Sequence, residues 1–354
     1  MIKMTEALFL TVIAALGQER SIYGAYHLLQ GKKSAQTIQD GHLFSVLPYF
    51  GLLPDLKRDD VPKMVFELEK KGLLKRIGEE HVEVRDKGNE LIAEYHQQRP
   101  YLNDLQGWYY HQQASTFWLR FTLYVQTLTH MQENHTRFFP ITQNKRIQQW
   151  VKQNLPRTKQ ERAEELMTLY HECQQFLMQC KEEQAYLFTY QLSSVIRIGA
   201  TLEQVAYKLK LPSDEAYLLH QACLHQLLKM IVDEKNTYPA LAKFGADFAA
   251  FIPLTDSAKE TLNYLKQGMT VEKIANIRKL KQATIEDHLV EVALYDRSFN
   301  IDYFVDVKTQ KEIYRAAHHL HTRKLRDIKR QVREEVSYFM IRLTLTRGGV
   351  PDES

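Results

Sequence analysis

The spacing of apolar residues is the feature that most constrains the fold of this 354-residue chain. Apolar side chains recur at intervals of three and four along most of the sequence, which places them on one face of a helix. Glu, Gln, Lys, Leu and Ala, which favour helices, are plentiful in the same stretches. The sequence therefore predicts a mostly α-helical protein.

One segment departs from the helical pattern. Val61–Lys71 has the character of a helix, and Gly72 closes it. Two short β-like runs follow, Leu73–Ile77 and His81–Val84, and Asp86 opens another helix. The order helix, hairpin, helix resembles the winged-helix domains of many bacterial DNA-binding proteins. Such wings also dock on proteins, so DNA contact and protein contact both remain interpretations of this segment.

A domain boundary is expected at Arg99, because the residue before a proline disfavours helix. We predict three domains, with a second boundary between residues 252 and 253. Residues 1–98 form a winged-helix-like domain with a small β-hairpin, and residues 99–252 form a helical middle domain. Residues 253–354 form a helix-turn-helix domain with a basic terminal helix.

The middle segment is rich in aromatic residues, which allows two interpretations. Aromatic side chains among basic residues can stack on single-stranded bases. However, Phe117, Phe121 and Tyr124 recur at helical spacing, as core residues do. We therefore favour an ordinary hydrophobic core.

An internal repeat becomes visible when the sequence is shifted by 69 residues. Gly199–Ala206 aligns with Gly268–Ala275, and Lys210 aligns with Lys279. Each copy contains a glycine, an N-capping threonine and a short helix with Val-Ala or Ile-Ala on its buried face. The repeat predicts two helix-turn-helix units, of which the first lies in the middle domain.

The segment Leu254–Leu294 carries the most specific pattern. It predicts a first helix over Ala258–Gln267, a second over Val271–Ile277, and a third that begins after a short turn with Thr284 as its cap. Small and apolar residues in the second and third helices supply the core of this unit. Three short helices in this arrangement indicate a helix-turn-helix.

The wider segment Leu254–Thr346 resembles the helicase helix-turn-helix family, which occurs on some RecQ-type helicases and on separate companion proteins. The likeness continues through Leu325–Lys329 and Val336–Leu343. Together with the winged segment, the whole chain is similar to the bacterial YpbB-like proteins, which are thought to partner a RecQ-type helicase. The resemblance implies an accessory role in DNA repair or recombination.

The third helix of this unit is acidic, whereas DNA-reading helices present basic or amide side chains. We expect its carboxylates to point outward and to contact a basic partner: Glu286, Asp287 and Glu291. Phosphate contact is expected from basic residues around the second helix and the turn, although a merely solvated face is the alternative: Lys273, Arg278, Lys279 and Lys281.

Nine basic residues face three acidic ones within Arg315–Arg347, although the formal charge of the whole chain is only +4. Leu325, Ile328, Val332, Val336 and Phe339 would share one face of a single terminal helix. A second stripe of this helix, with Lys329 between its members, would hold phosphate, or would simply be solvated beside Glu334 and Glu335: Arg323, Arg326, Arg330 and Arg333.

Motifs for catalysis and for cofactor binding were not found. Gly31–Ser34 lacks the residues of a phosphate-binding loop, and Cys173 and Cys180 have no second pair with which to complete a zinc site. With three cysteines and no apolar run longer than Leu8–Leu16, which reads as an amphipathic helix, we expect a cytoplasmic protein with no membrane partner.

These observations favour a non-catalytic, cofactor-free accessory protein. Its expected partners are a RecQ-type helicase, as the resemblance implies, and DNA, contacted largely through phosphates. A helix-turn-helix transcription regulator is one alternative, and a protein-interaction scaffold without DNA contact is another.

Overall fold

The computed structural model describes residues 2–135, 137–234, 236–248, 254–296, 298–320 and 325–347. In chain order its elements are α1 (Met4–Leu16), α2 (Ile22–Gln30), α3 (Ala35–Leu43), α4 (Asp60–Lys70), β1 (Leu74–Arg76), β2 (Val82–Val84), α5 (Asp86–Gln98), α6 (Gly107–Gln132), α7 (Lys145–Asn154), α8 (Lys159–Leu177), α9 (Glu182–Thr189), α10 (Leu202–Leu209), α11 (Ser213–Asp233), α12 (Pro239–Ala242), α13 (Asp256–Lys266), α14 (Val271–Arg278), α15 (Gln282–Tyr295), α16 (Val307–His319), α17 (Leu325–Gln331) and α18 (Tyr338–Leu345). The prediction of a mostly helical protein with one small hairpin is confirmed.

The chain divides into two compact units. The first unit comprises Met1–Ala7 and Ala93–Ala250, and the second comprises Leu8–Ile92 and Phe251–Ser354. The second unit therefore combines the winged segment with the C-terminal helices. The division into three domains by sequence stays a prediction.

The winged segment has the predicted order of elements. Strands β1 and β2 pair antiparallel, with Leu74 opposite Val84. Gly72 ends α4 in the left-handed conformation, with a φ of 72°. At Gly88 a Cβ atom would lie 2.3 Å from the carbonyl oxygen of Leu73, so only glycine lets α5 begin this close to the hairpin.

Helix α1 was expected to be amphipathic, but the structure shows that it is not. Leu8, Phe9, Leu10, Val12 and Ile13 are all buried, although they point to different sides of the helix. Nearly every side chain in this stretch is apolar, and a helix that is apolar on all sides is stable only where it is buried on all sides. The expected amphipathic surface is therefore absent from this part of α1.

The first unit is built around α6, α8 and α11. Phe117, Phe121 and Tyr124 are buried in its core, which confirms the core interpretation of the aromatic segment. The buried Glu172 carboxylate of α8 accepts backbone hydrogen bonds of 3.0 Å from Ala240 and 2.8 Å from Leu241. Because these donors belong to the first turn of α12, the carboxylate caps that helix from a distance.

The internal repeat is reproduced in local structure. Helices α10 and α14 each contain eight residues, and their N-caps, Thr201 and Thr270, accept from the third residue of their own helix. Lys210 and Lys279 end them in the same left-handed conformation, with φ of 56° and 51°. The next helix begins three residues after each of these lysines. Two similar helix-turn segments are therefore present, one in each unit.

The prediction of a single terminal helix is wrong, because the chain forms two helices, α17 and α18, instead. Arg333 directs its backbone N–H and its Nε to the Glu312 carboxylate, at 2.7 and 2.8 Å, rather than continuing the helix. Ser337 then caps α18 by accepting from the Met340 N–H at 3.2 Å. The apolar residues Ile328 and Val336 still share one core.

Candidate nucleic-acid interface

Helices α13, α14 and α15 form a helix-turn-helix in the second unit. Thr255 caps α13, since its hydroxyl accepts from the Ala258 N–H at 3.2 Å. Thr270 caps α14 in the same way, accepting from the Lys273 N–H at 3.3 Å. Ile274 and Ile285 are buried between the helices. The third helix begins three residues earlier than predicted, so Thr284 lies within its first turn and Lys281 occupies the N-cap position.

Three of the residues predicted to contact phosphate surround the turn, and their side chains are exposed. Lys273 lies on α14, Lys279 ends it, and Lys281 precedes α15. None of them forms an ion pair with a residue that the structure describes. Their ammonium groups are thus accessible to an anion that approaches the turn.

Arg278 is different, and the structure corrects its predicted role. Its side chain is only 7% exposed. The guanidinium donates to the Ser257 carbonyl at 2.8 Å, to the Ser257 hydroxyl at 2.9 Å and to Glu260 at 2.8 Å, and it also donates to Thr261. Because the donors are used to hold α14 against α13, Arg278 is not available to a phosphate.

Most of α15 is covered within its own unit. It packs against α3, α13, α14 and α18, and residues 288–293 are all buried. Near its end, the Tyr295 ring meets the ring of His42 from α3 at 5.0 Å. At its beginning Gln282 and Ala283 are exposed. Only the first turn of this helix can therefore approach a DNA groove.

The three acidic residues of α15 do not form one outward face. Glu291 is 4% exposed and accepts from both the backbone N–H and the hydroxyl of Thr255. Asp287 forms an ion pair with Arg342 of α18. Glu286 is half-buried and accepts from Gln282 at 3.1 Å. The expectation that all three point outward is therefore wrong. Glu291 and Asp287 are instead held by partners within the unit, as a buried or half-buried carboxylate requires.

The predicted arginine stripe is also divided. Arg323 lies outside the described residues, and Lys329 donates to the Glu334 carbonyl at 2.7 Å. Arg330 lies 3.8 Å from Asp327, and Arg326 lines a polar cavity of about 690 Å³. Arg333 lines a different cavity, because the chain leaves the helical path at Gln331. Arg326 and Arg330, four residues apart, lie on one face of α17, but Arg333 lies beyond the end of that helix and does not extend the stripe.

The same unit contains basic residues that sequence reasoning missed. Lys308, Lys311 and Arg315 lie on α16 and line a groove of about 890 Å³. Their spacing of three and four residues was the signal that could have identified them.

Among the residues that the structure describes, no group of three or more His, Cys, Asp or Glu side chains could hold a metal ion. The described part of the chain contains no helix that is long and apolar enough to cross a membrane.

The comparisons with known proteins agree with this geometry. Residues 257–345 match a family described as a helix-turn-helix domain. The chain is 32% identical over 343 residues to Protein YpbB of Bacillus subtilis (strain 168), and the alignment covers 97% of each chain. The chain belongs to the YpbB family. No solved structure matches it.

Membership of the YpbB family confirms the resemblance that the sequence indicated. The helix-turn-helix match begins in α13 and ends in α18, so it includes α16 and the turn after α17 as well as the three helices around the lysines. Helix-turn-helix domains are a DNA-binding architecture. DNA contact is thus indicated for the second unit of this YpbB family member.

Proposed function

We propose that this protein is a non-catalytic DNA-binding accessory protein that acts with a RecQ-type DNA helicase in DNA repair or recombination. The observation that carries the DNA part is the helix-turn-helix domain with three exposed lysines around its turn: Lys273, Lys279 and Lys281. The helicase part is supported by the resemblance of the sequence to helicase-companion proteins.

The geometry supports contact with the DNA backbone rather than with base sequence. Sequence-specific recognition helices present several side chains to base edges in the major groove. In α15 the exposed side chains lie in the first turn, and the half-buried Glu286 beside it repels phosphate. We therefore expect similar affinities for DNA of unrelated sequence, which disfavours a transcription regulator.

Fluorescence anisotropy with labelled duplexes of unrelated sequence tests DNA binding by the full chain. The triple substitution K273Q/K279Q/K281Q should weaken binding to all of them alike. Each phosphate contact contributes about 0.9 to the slope of log affinity against log salt, so the slope should flatten by about two to three. Circular dichroism checks that the variant is folded.

A matched control removes three positive charges elsewhere. Lys145, Arg146 and Lys159 are exposed in the first unit, so K145Q/R146Q/K159Q should leave affinity and slope unchanged. A strong preference for one sequence would favour a regulator instead. If the protein bound no DNA even at 50 mM salt, it would be a scaffold without DNA contact.

Partnership is tested by co-purification with the RecQ-type helicase of the same organism. Of the three acidic residues of α15, Glu286 is neither fully buried nor in an ion pair with a described residue, so we expect Glu286→Lys to weaken the association with a basic partner surface. Glu164→Lys is a matched control, because Glu164 accepts from Gln160 at 2.9 Å with the same four-residue spacing on α8. No co-purification of the unmodified protein would contradict the proposed partnership.

A further inference from the structure

A second basic surface lies on α16, away from the helix-turn-helix lysines in sequence. One wall of the groove consists of residues of α16, and the other is formed by the end of α17 and the turn after it. The groove has a volume of about 890 Å³, and its lining residues are mostly charged. We call it the α16 groove; its charged residues are Lys308, Lys311, Glu312, Arg315 and Arg333.

The charge of the α16 groove is clearly positive. Its one carboxylate, Glu312, accepts two hydrogen bonds from Arg333, at 2.7 and 2.8 Å, which also hold the two walls together. The backbone N–H and the guanidinium of Arg333 lower the pKa of Glu312 and so keep it ionised, and the positive charge of Arg333 compensates its negative charge. Lys308, Lys311 and Arg315 form no ion pair with any residue in the described ranges. Three cations therefore remain for a ligand.

The three cations form a row along one face of the helix. Lys308, Lys311 and Arg315 are separated by three and four residues, which places them on the same side of α16. At 1.5 Å per residue the row is about 10 Å long. A row of this length can face about two to three neighbouring phosphates of one strand.

We propose that the α16 groove binds the phosphate backbone of a nucleic acid and gives the second unit a contact separate from the helix-turn-helix lysines. The proposal rests on the proposed function, which it deepens by naming a further part of the DNA surface. An acidic protein segment fits less well, because stable protein interfaces need buried apolar or aromatic anchors. Among the residues that line the groove only Val307 and Ala316 are apolar in type, and none is Phe, Tyr or Trp.

The test uses the full chain with the triple substitution K308Q/K311Q/R315Q, which leaves the Arg333–Glu312 pair in place. A 30-base-pair duplex and a 30-nucleotide single strand of the same sequence serve as probes. Affinity for the preferred probe should fall about tenfold or more at 0.1 M salt, and its salt slope should flatten by about two to three. K145Q/R146Q/K159Q again provides the control with equal loss of charge.

The substitution R315Q alone, at an exposed residue, should flatten the slope by about one and serves if the triple variant does not fold. An unchanged affinity and slope in the groove variants would overturn the proposal, while DNA binding by the unmodified chain would leave the proposed function standing. Absence of DNA binding by the unmodified chain would overturn both. Poly-glutamate serves as a third probe. If the groove variants lost binding to poly-glutamate but kept their binding to DNA, the groove would be assigned to an acidic protein.

Discussion

The Glu291 carboxylate on α15 accepts two hydrogen bonds from Thr255, the residue that caps α13. One comes from the backbone N–H of Thr255 and the other from its hydroxyl, at 3.1 Å. The same hydroxyl accepts from the Ala258 N–H at 3.2 Å. A buried acidic residue of the third helix thus fixes the beginning of the first helix.

Glu291→Ala should lower the free energy of unfolding by about 1–3 kcal/mol, because the N–H and hydroxyl of Thr255 lose their acceptor in a buried place. Urea denaturation followed by circular dichroism measures the change. Glu286→Ala on the same helix is the control, and its effect should stay below about 0.5 kcal/mol. Equal stability of the two variants would show that the Thr255 bonds contribute nothing.

Arg278→Lys should destabilise the helix-turn-helix by about 1.5–3 kcal/mol, since one ammonium cannot reach both Ser257 atoms and Glu260 together. Its neighbour Lys279 is exposed, so Lys279→Gln should leave stability unchanged and weaken DNA binding. Thermal unfolding and fluorescence anisotropy of both variants test this separation. If Arg278→Lys kept its stability but weakened DNA binding, Arg278 would contact DNA instead.

Lys210→Gly should stabilise the first unit by about 0.5–1 kcal/mol. A left-handed conformation costs a non-glycine residue about 1–2 kcal/mol, and the larger backbone entropy of glycine in the unfolded chain offsets part of the gain. Lys208→Gly, at a helical residue of the same α10, should instead lower stability by about 0.5–1 kcal/mol. Urea denaturation compares the two, and a loss of stability in both would contradict the assigned conformation.

The first unit should lose stability in acid because of two buried histidines. Burial lowers the pKa of His220 to about 4 and that of His225 to about 3. Their pKa in the unfolded chain is about 6.5, so between pH 6.5 and about 4 the unfolded chain binds protons that the folded chain does not. The free energy of unfolding should therefore decrease as the pH falls, by about 2 kcal/mol for each histidine at pH 5.

Tryptophan fluorescence measures this effect selectively, because Trp108, Trp118 and Trp150 all lie in the first unit. Urea denaturation at pH 7 and pH 5 gives the difference in unfolding free energy. His220→Gln should reduce that difference by about 2 kcal/mol, since one of the two groups is removed. Equal stability at the two pH values would show that these histidines are protonated in the folded protein.

Local structure followed directly from the sequence. The winged segment, the repeat and the three helices of the helix-turn-helix depend on caps, glycines and apolar periodicity within a few residues. Thr201 and Thr270 therefore begin equivalent helices in two different units, as their shared sequence pattern predicted. Membership of the YpbB family was likewise visible in the sequence alone.

The environment of individual charges was decided by the tertiary structure. Arg278 and Lys279 are adjacent basic residues, yet the first is bound within the domain and the second is exposed. Glu291 meets its partner 36 residues away, and Arg333 leaves the predicted helix for a carboxylate 21 residues away. Sequence periodicity reports which face of a helix is apolar, but it does not report which other element covers a charged residue. Since burial is costly for an unpaired charge, those long-range contacts determined which charges stay free for a ligand.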